Sequence, residues 1–319
     1  MRPILQEFDF GRLHIAIASY ATMLAIAALA TIAISYVLCV RRGASAKRTA
    51  GFLLLTGVTV PVGARLLHFA LTPAAYDGHL GRLVALSGSG FALFGGLLLA
   101  ALVGPLAAHA LDLDLWGMAD ACAPAIGIGI ALTKVGCLMA GCCFGIVSNA
   151  SRGIVFPPGS PAALWQFRMH LIGLRDPSLP VYPTQLYEMV AALFCAAAAA
   201  WFLSRKPAEG TVFLAFVAAF TGFHWLIWTM RVPDAASTAP GWLYPALYVA
   251  TVATCIVLAV ARRRPQNEPV HRAERPDANQ VALQAPEEQA RLGGGGVPQG
   301  PAAGEQHGRE PCRDEGGLA

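Results

Sequence analysis

Seven stretches of this chain are apolar for long enough to cross a bilayer, which takes roughly 20 mostly apolar residues in helical form. They run Leu13–Val40, Ala50–Thr72, Ala85–Leu111, Trp116–Gly141, Thr184–Ser204, Thr211–Met230 and Trp242–Ala261. The pattern predicts an all-α, polytopic membrane helix bundle of about seven transmembrane helices. Arg65, Lys134, Glu188 and His224 are ionisable residues inside these stretches. Such groups are costly in hydrocarbon and usually face a bundle interior, so they are the first residues to explain.

The polar positions are not spread evenly along the spans. In a seven-span topology, Tyr20, Arg65, Phe94-Gly95-Gly96, Lys134, Glu188, His224 and Tyr248 all fall about 4–8 residues, or roughly 6–12 Å, from the same end of their segments. Arg231 lies at the rim of that layer. No comparable layer occurs at the other end. Glu188 is the lone carboxylate among cations, which suits an anionic headgroup or a phosphate. Each member also has a plainer reading. Long basic side chains snorkel, tyrosines line interfaces, and Gly95-Gly96 allows close helix packing.

Basic loops set the expected orientation. Arg41-Arg42, Lys47-Arg48, Arg205-Lys206 and Arg262-Arg263-Arg264 share one side, which is predicted to be cytoplasmic, with the N-terminus outside and the C-terminus inside. Glu7 and Asp9 precede the first segment, and its length exceeds a signal-peptide core, so it reads as a retained helix. The 319 residues are 55% hydrophobic and 13% charged, well below the charge content of a soluble domain. A net charge of +4, without a basic patch interleaved with aromatics, gives no sign of nucleic-acid binding. Residues 1–264 read as one transmembrane domain with an outside loop over 146–183, long enough to suggest function. That loop carries Arg152, Trp165, Arg168, His170 and Arg175. Residues 265–319, rich in Pro, Gln, Glu, Arg and Gly, read as a disordered cytoplasmic tail. No internal repeat is visible.

Three cysteines, Cys137, Cys142 and Cys143, fall together near the end of the fourth segment. They read as packing residues among glycines, as a reactive thiol or disulfide near an oxidising face, or as part of a metal site. The usual Cys-x2-Cys pairs are missing and no second ligand cluster is evident, so no metal site and no cofactor are assigned. Cys39, Cys122, Cys195 and Cys255 are scattered in apolar segments as packing residues.

Six short motifs now resemble one family in the same order. Thr133-Lys-Val-Gly-Cys-Leu-Met-Ala-Gly-Cys-Cys-Phe-Gly145 resembles the Gly-Arg-x-Gly-Asn-Phe-x-Asn-x-Glu-x-x-Gly signature of prolipoprotein diacylglyceryl transferases. Gly63-Ala-Arg65 resembles its Gly-Ala/Gly-Arg, Gly95-Gly96 the glycines of its His-Gly-Gly, and Asp120 with Pro124 its Asp-x-x-x-Pro. Pro183-Thr-Gln-Leu-Tyr-Glu188 is similar to its Pro-Ser/Thr-Gln-Leu-Tyr-Glu, and Arg231-Val-Pro-Asp234 to its Arg-x-Pro-Asp. Tyr20 falls where the family's first helix carries a Tyr.

The resemblance implies a seven-helix enzyme of the bacterial cytoplasmic (inner) membrane. Such an enzyme moves the diacylglyceryl group of phosphatidylglycerol to the lipobox cysteine that follows a prolipoprotein signal peptide. The partners implied are phosphatidylglycerol, prolipoprotein signal peptides and membrane lipid. On this reading Lys134, Arg65 and Arg231 hold the phosphate, with Gly95, Gly96, Gly136 and Tyr20 around the headgroup. His224 serves as base or leaving-group partner, and Glu188 orients a cation. Lys134 has two possible partners, Glu188 or a lipid phosphate, and the phosphate is the expected one. The chain departs from the family pattern at chemical positions. Phe94 replaces its His, Lys134 its signature Arg, Cys137 an Asn and Cys142 a Glu, while His224 and Trp228 align with an Arg and a Glu. Lys keeps the charge of Arg but loses its two-pronged grip. Imidazole titrates near neutrality and substitutes in part for either role. A non-catalytic lipid- or lipoprotein-binding protein and a small-molecule transporter stay open as alternatives, the latter opposed by the missing repeat.

Overall fold

In the computed structural model, the described residues are 4–10, 13–71, 76, 81, 93–148, 153–205, 207–232 and 241–263. A hairpin of β1 (Ile4–Phe10) and β2 (Leu13–Ala18) comes first, antiparallel, with Phe10 opposite Leu13 and Phe8 opposite Ile15. Among the described residues, eight helices follow. They are α1 (Ser19–Arg41), α2 (Ala46–Leu71), α3 (Leu93–Ala110), α4 (Leu115–Ala140), α5 (Pro161–Arg168), α6 (Thr184–Ser204), α7 (Thr211–Trp228) and α8 (Leu243–Arg263). Six of these (α1, α2, α4, α6, α7 and α8) are long and apolar enough to cross a membrane, and α3 is a shorter apolar helix. The protein is a polytopic helical membrane protein.

The first span corrects the sequence reading. Its helix starts at Ser19 rather than at Leu13. The stretch Leu13-His-Ile-Ala-Ile-Ala18 alternates with period two and carries β-branched side chains, which suits a strand; hydropathy alone does not separate that from a helix. Residues 85–92 of the third stretch and the tail from 265 onward lie outside the described residues. The other boundaries agree within a few residues, and α6 spans the expected Thr184–Ser204.

Helix α4 is the central element. Asp114 caps its first turn, accepting from the amides of Trp116 at 3.1 Å and Gly117 at 2.8 Å. Its buried face is built from small residues, including Ala121, Ala123, Ala125, Gly127, Gly129 and Ala131. Without an apolar driving force between helices in lipid, close backbone approach is what makes helices associate, and small residues permit it. A Cβ on Gly127 would lie 2.7 Å from the Ala196 Cβ of α6. Helix α1 packs on the opposite side of α4, α7 touches both α4 and α6, and α8 packs on α7. Helices α2 and α3 form a second close pair against α1. Large apolar side chains such as Leu29, Leu98, Phe194 and Val257 point outward, as a lipid-facing surface requires.

Asp120 ties two of these helices together. Its buried carboxylate accepts from the amides of Gly210 and Phe213, each at 2.8 Å, and so caps the first turn of α7 from the side of α4. This gives the Asp-x-x-x-Pro motif a structural role.

The expected 146–183 loop is folded in its described part. Ser160 caps α5, with Pro161 in the first turn. Gln166 is fully buried, accepting from the Leu179 amide at 2.6 Å and donating to the Leu179 carbonyl at 3.4 Å. Val181 forms bridges to both Val147 and Ile154. Phe144, Phe156, Ala162 and Val181 make a small core under this segment. Arg152 lies outside the described residues.

Candidate functional site

The first turns of α6 lie beside the last turns of α4 and α7 because α4 and α7 run opposite to α6. That arrangement places Glu188 among three bases. Lys134 Nζ of α4 forms an ion pair with Glu188 Oε2. His224 Nδ1 of α7 lies 3.4 Å from the same oxygen, and Arg231 Nη1 lies 3.8 Å from Oε1. Glu188 is 1% exposed, Lys134 14%, His224 21% and Arg231 27%. The carboxylate is sealed, and its partners reach toward the open side. Lys134 and Arg231 bring two basic side chains to one carboxylate.

Lys134 therefore has the protein partner, Glu188, where the sequence reading favoured a phosphate.

Aromatic rings complete one wall. The His224 ring meets Tyr248 of α8 edge-on at 5.5 Å and stacks on Phe220 at 6.0 Å. Tyr248 is 5% exposed and also contacts Trp228. Its depth placed it in the layer, but its role as a support for His224 needed the helix neighbours. Gly136 lets α1 approach α4: a Cβ there would sit 2.7 Å from the Met23 Cβ and 3.5 Å from the Tyr20 Cα. Tyr20 is thereby set against the Lys134 turn.

Three other expected site residues stand elsewhere. Arg65 is buried on α2, has interactions of its own, and is not one of the bases that meet Glu188. Gly95 faces Gly63 backbone to backbone, and a Cβ on Gly96 would lie 2.6 Å from the Val60 carbonyl oxygen. Both glycines are placed by the α2–α3 contact.

Residues 141–145 bring the cysteines to this end. Gly141, at φ +74°, ends α4, and the amides of Gly141 and Cys142 both donate to the Cys137 carbonyl, at 2.9 and 3.1 Å. Cys143 takes a positive φ of 59°, a conformation that disfavours side chains. Thr184 Oγ1 donates to the Cys143 carbonyl and Gln185 Nε2 to the Cys142 carbonyl, each at 2.6 Å. The motif that carries Glu188 thus also fastens the cysteine turn. Gly145 pairs with Arg231 in an isolated antiparallel bridge, and the Ile146 amide donates to the Met230 carbonyl at 2.9 Å. Hydrogen bonds with Cys137 and Cys142, aided by the Arg231 and Lys134 charges, hold the Cys143 thiol well below its usual range against the effect of burial. Contact with Cys137 and Cys143 pushes the Cys142 thiol up.

The fold and the site together define a multi-span membrane helix bundle that gathers Lys134, His224 and Arg231 around one buried carboxylate. The prolipoprotein diacylglyceryl transferase family matches residues 8–263, and the chain belongs to that family. A relative from Geobacter sulfurreducens, named phosphatidylglycerol–prolipoprotein diacylglyceryl transferase, is 31% identical over 188 residues, covering 58% of this chain and 64% of its own length. One of the same name from Dehalococcoides mccartyi is 26% identical over 181 residues, 56% of this chain and 64% of the relative. Another, from Clostridium tetani, is 24% identical over 217 residues, 68% of this chain and 80% of the relative. The chain thus spans a little under two thirds of the length of the Geobacter and Dehalococcoides relatives.

Proposed function

We propose that this chain transfers the diacylglyceryl group of phosphatidylglycerol to the thiol of a lipobox cysteine in prolipoproteins. The observation that carries the reading is the sealed Glu188 ringed by Lys134, His224 and Arg231 in a chain of this family. The acceptor sulfur attacks the glyceryl carbon esterified to the phosphate, that carbon–oxygen bond breaks, and glycerol phosphate leaves with the electron pair. Lys134 and Arg231 offset the charge that develops on the leaving phosphate. Glu188 holds these cations apart and in place, and His224, supported by Tyr248, takes the proton of the acceptor thiol and passes it to solvent or to the leaving phosphate. Gly136 and Tyr20 shape the wall beside the Lys134 turn, and Gly95 and Gly96 set the α2–α3 pair that carries Arg65.

Expression of the chain in bacteria depleted of their own transferase is expected to restore lipidation of a reporter lipoprotein. Failure to do so, with the protein present in the membrane, would count against transfer. A non-catalytic lipid or lipoprotein binder is the second reading, favoured by Phe94, Cys142 and Trp228 standing where the family pattern has ionisable residues.

The proposed setting is the bacterial cytoplasmic membrane, with the N-terminus and the cluster toward the outside and a tail from residue 265 in the cytoplasm. Reporter fusions at Ala46 and Ala163 are expected to report opposite sides; the same side for both would end this topology.

A further inference from the structure

The reading above leaves one group of nucleophilic side chains without work. The Sγ atoms of Cys137, Cys142 and Cys143 lie within 4.8 Å of one another. Proximity in sequence becomes a cluster of sulfurs because the left-handed turn at Gly141 folds Cys142 and Cys143 back over the last turn of α4. We propose that these three thiolates bind one Zn2+ ion and leave its fourth position open for the thiolate of the acceptor. The inference rests on the proposed transfer for its purpose, though not for its geometry.

Four observations support the site. The first is size. At a Zn–S distance of about 2.3 Å, tetrahedral ligands sit roughly 3.8 Å apart, so the cluster closes by movements of about 1 Å or less. The second is ligand number. Among the described residues the group has three members and no fourth His, Asp, Glu or Cys. A structural zinc is closed by four protein ligands, whereas a reactive zinc keeps three and an open position.

The third observation is preorganisation. Both carbonyls of the Cys142-Cys143 pair are pinned by Thr184 and Gln185, and Cys143 is held in an unfavourable backbone region. Supporting hydrogen bonds of this kind fix metal ligands, and backbone strain persists only where its surroundings enforce it. The fourth is access and charge. Cys137 is buried while Cys142 and Cys143 are partly exposed, so the cluster is anchored within the bundle and open on one side. Three thiolates on Zn2+ carry one net negative charge, and the bridge from Gly145 to Arg231 brings a cation alongside.

The ion would solve a chemical problem specific to this chain. Phe94 stands where the family pattern has a His, so one proton acceptor is gone. A thiol bound to Zn2+ is deprotonated outright. The acceptor thiol would bind as thiolate, releasing its proton to solvent or His224. The sulfur pair then forms the carbon–sulfur bond as the carbon–oxygen bond to phosphate breaks. The thioether product is a poor ligand and departs. No electron is gained or lost.

The test uses full-length protein purified without oxygen in phospholipid nanodiscs from zinc-replete cells. Elemental analysis is expected to give one zinc per chain. Cobalt-exchanged protein should show sulfur-to-cobalt charge-transfer absorption. Its ligand-field bands should shift on addition of a lipobox peptide bearing Cys, and not with the Ser peptide. Cys142→Ser, at a partly exposed position, should lower zinc retention against a chelator by more than tenfold while the protein stays folded. Zinc-free wild-type protein, a disulfide within the cluster, equal retention by Cys142→Ser, or a cobalt spectrum blind to the Cys peptide would each overturn the proposal. Metal content and spectrum are read without turnover. Zinc and thiol binding with no transfer would therefore fail the transferase reading alone, and transfer by zinc-free protein would fail this one alone.

Discussion

Glu188→Gln is expected to destabilise the fold by about 3 kcal/mol and to abolish transfer. Removing one member of a buried ion pair strands the others, and here the remainder is a Lys and an Arg held near the same point. The lower end of the usual 3–5 kcal/mol range applies because all three bases are partly exposed and can recruit water. Gln keeps the volume, so packing loss does not confuse the result. Unfolding monitored in detergent or nanodiscs measures the cost, and a lipidation assay below the melting temperature measures the chemistry. Lys134→Met should cost less, because Arg231 and His224 remain beside the carboxylate. Equal stability of Glu188→Gln and the parent would show that the cluster is not held by its carboxylate.

Asp120→Ala is expected to cost about 3 kcal/mol or more, from two lost hydrogen bonds to a charged acceptor at about 1.5–3 kcal/mol each. It also leaves the first turn of α7 without its cap, since Gly210, the residue before the helix, has no side chain to replace it. Asp120→Asn retains one acceptor and should cost about half as much, while losing the favourable charge at a helix N-terminus. Asp120 lies some fourteen residues, about 20 Å, from Lys134 along α4. The Asp120 variants should therefore lower the melting temperature while folded protein keeps the activity of the parent. The Glu188 variant should lose both. A fall in activity matched to Glu188→Gln, in folded Asp120→Asn protein, would contradict this division.

The difference between these two carboxylates marks what the chain discloses as sequence. Hydropathy gave spans because lipid-facing surface must be apolar all along a helix. It failed at Leu13–Ala18, where an apolar stretch alternates with period two and folds as a strand. It passed over α5, although Ser160 followed by Pro161 is a legible helix start. Depth along a helix was also legible, and it grouped Lys134, Glu188, His224, Tyr248 and Tyr20 at one end of the bundle. Depth is an axial coordinate only. Gly95, Gly96 and Arg65 share it but belong to α2 and α3, where the glycines bring two backbones together. Helix neighbours decide which residues of one layer meet, and small-residue contacts such as Gly127 on Ala196 set those neighbours. The three cysteines were legible as neighbours at the end of the fourth segment, but the convergence of their sulfurs depends on the positive φ at Cys143, which spacing does not anticipate. Thr184 and Gln185 were visible as motif members, but their hold on the cysteine turn needed the structure.

The most direct test is mass spectrometry of a lipobox peptide incubated with the purified full-length chain in phosphatidylglycerol nanodiscs. The peptide cysteine is predicted to gain one diacylglyceryl group in thioether linkage, with one glycerol phosphate released for each. Glu188→Gln protein should give neither product. An unmodified peptide and intact phosphatidylglycerol, with folded protein present, would contradict transfer and leave the chain as a binder of lipid or lipoprotein.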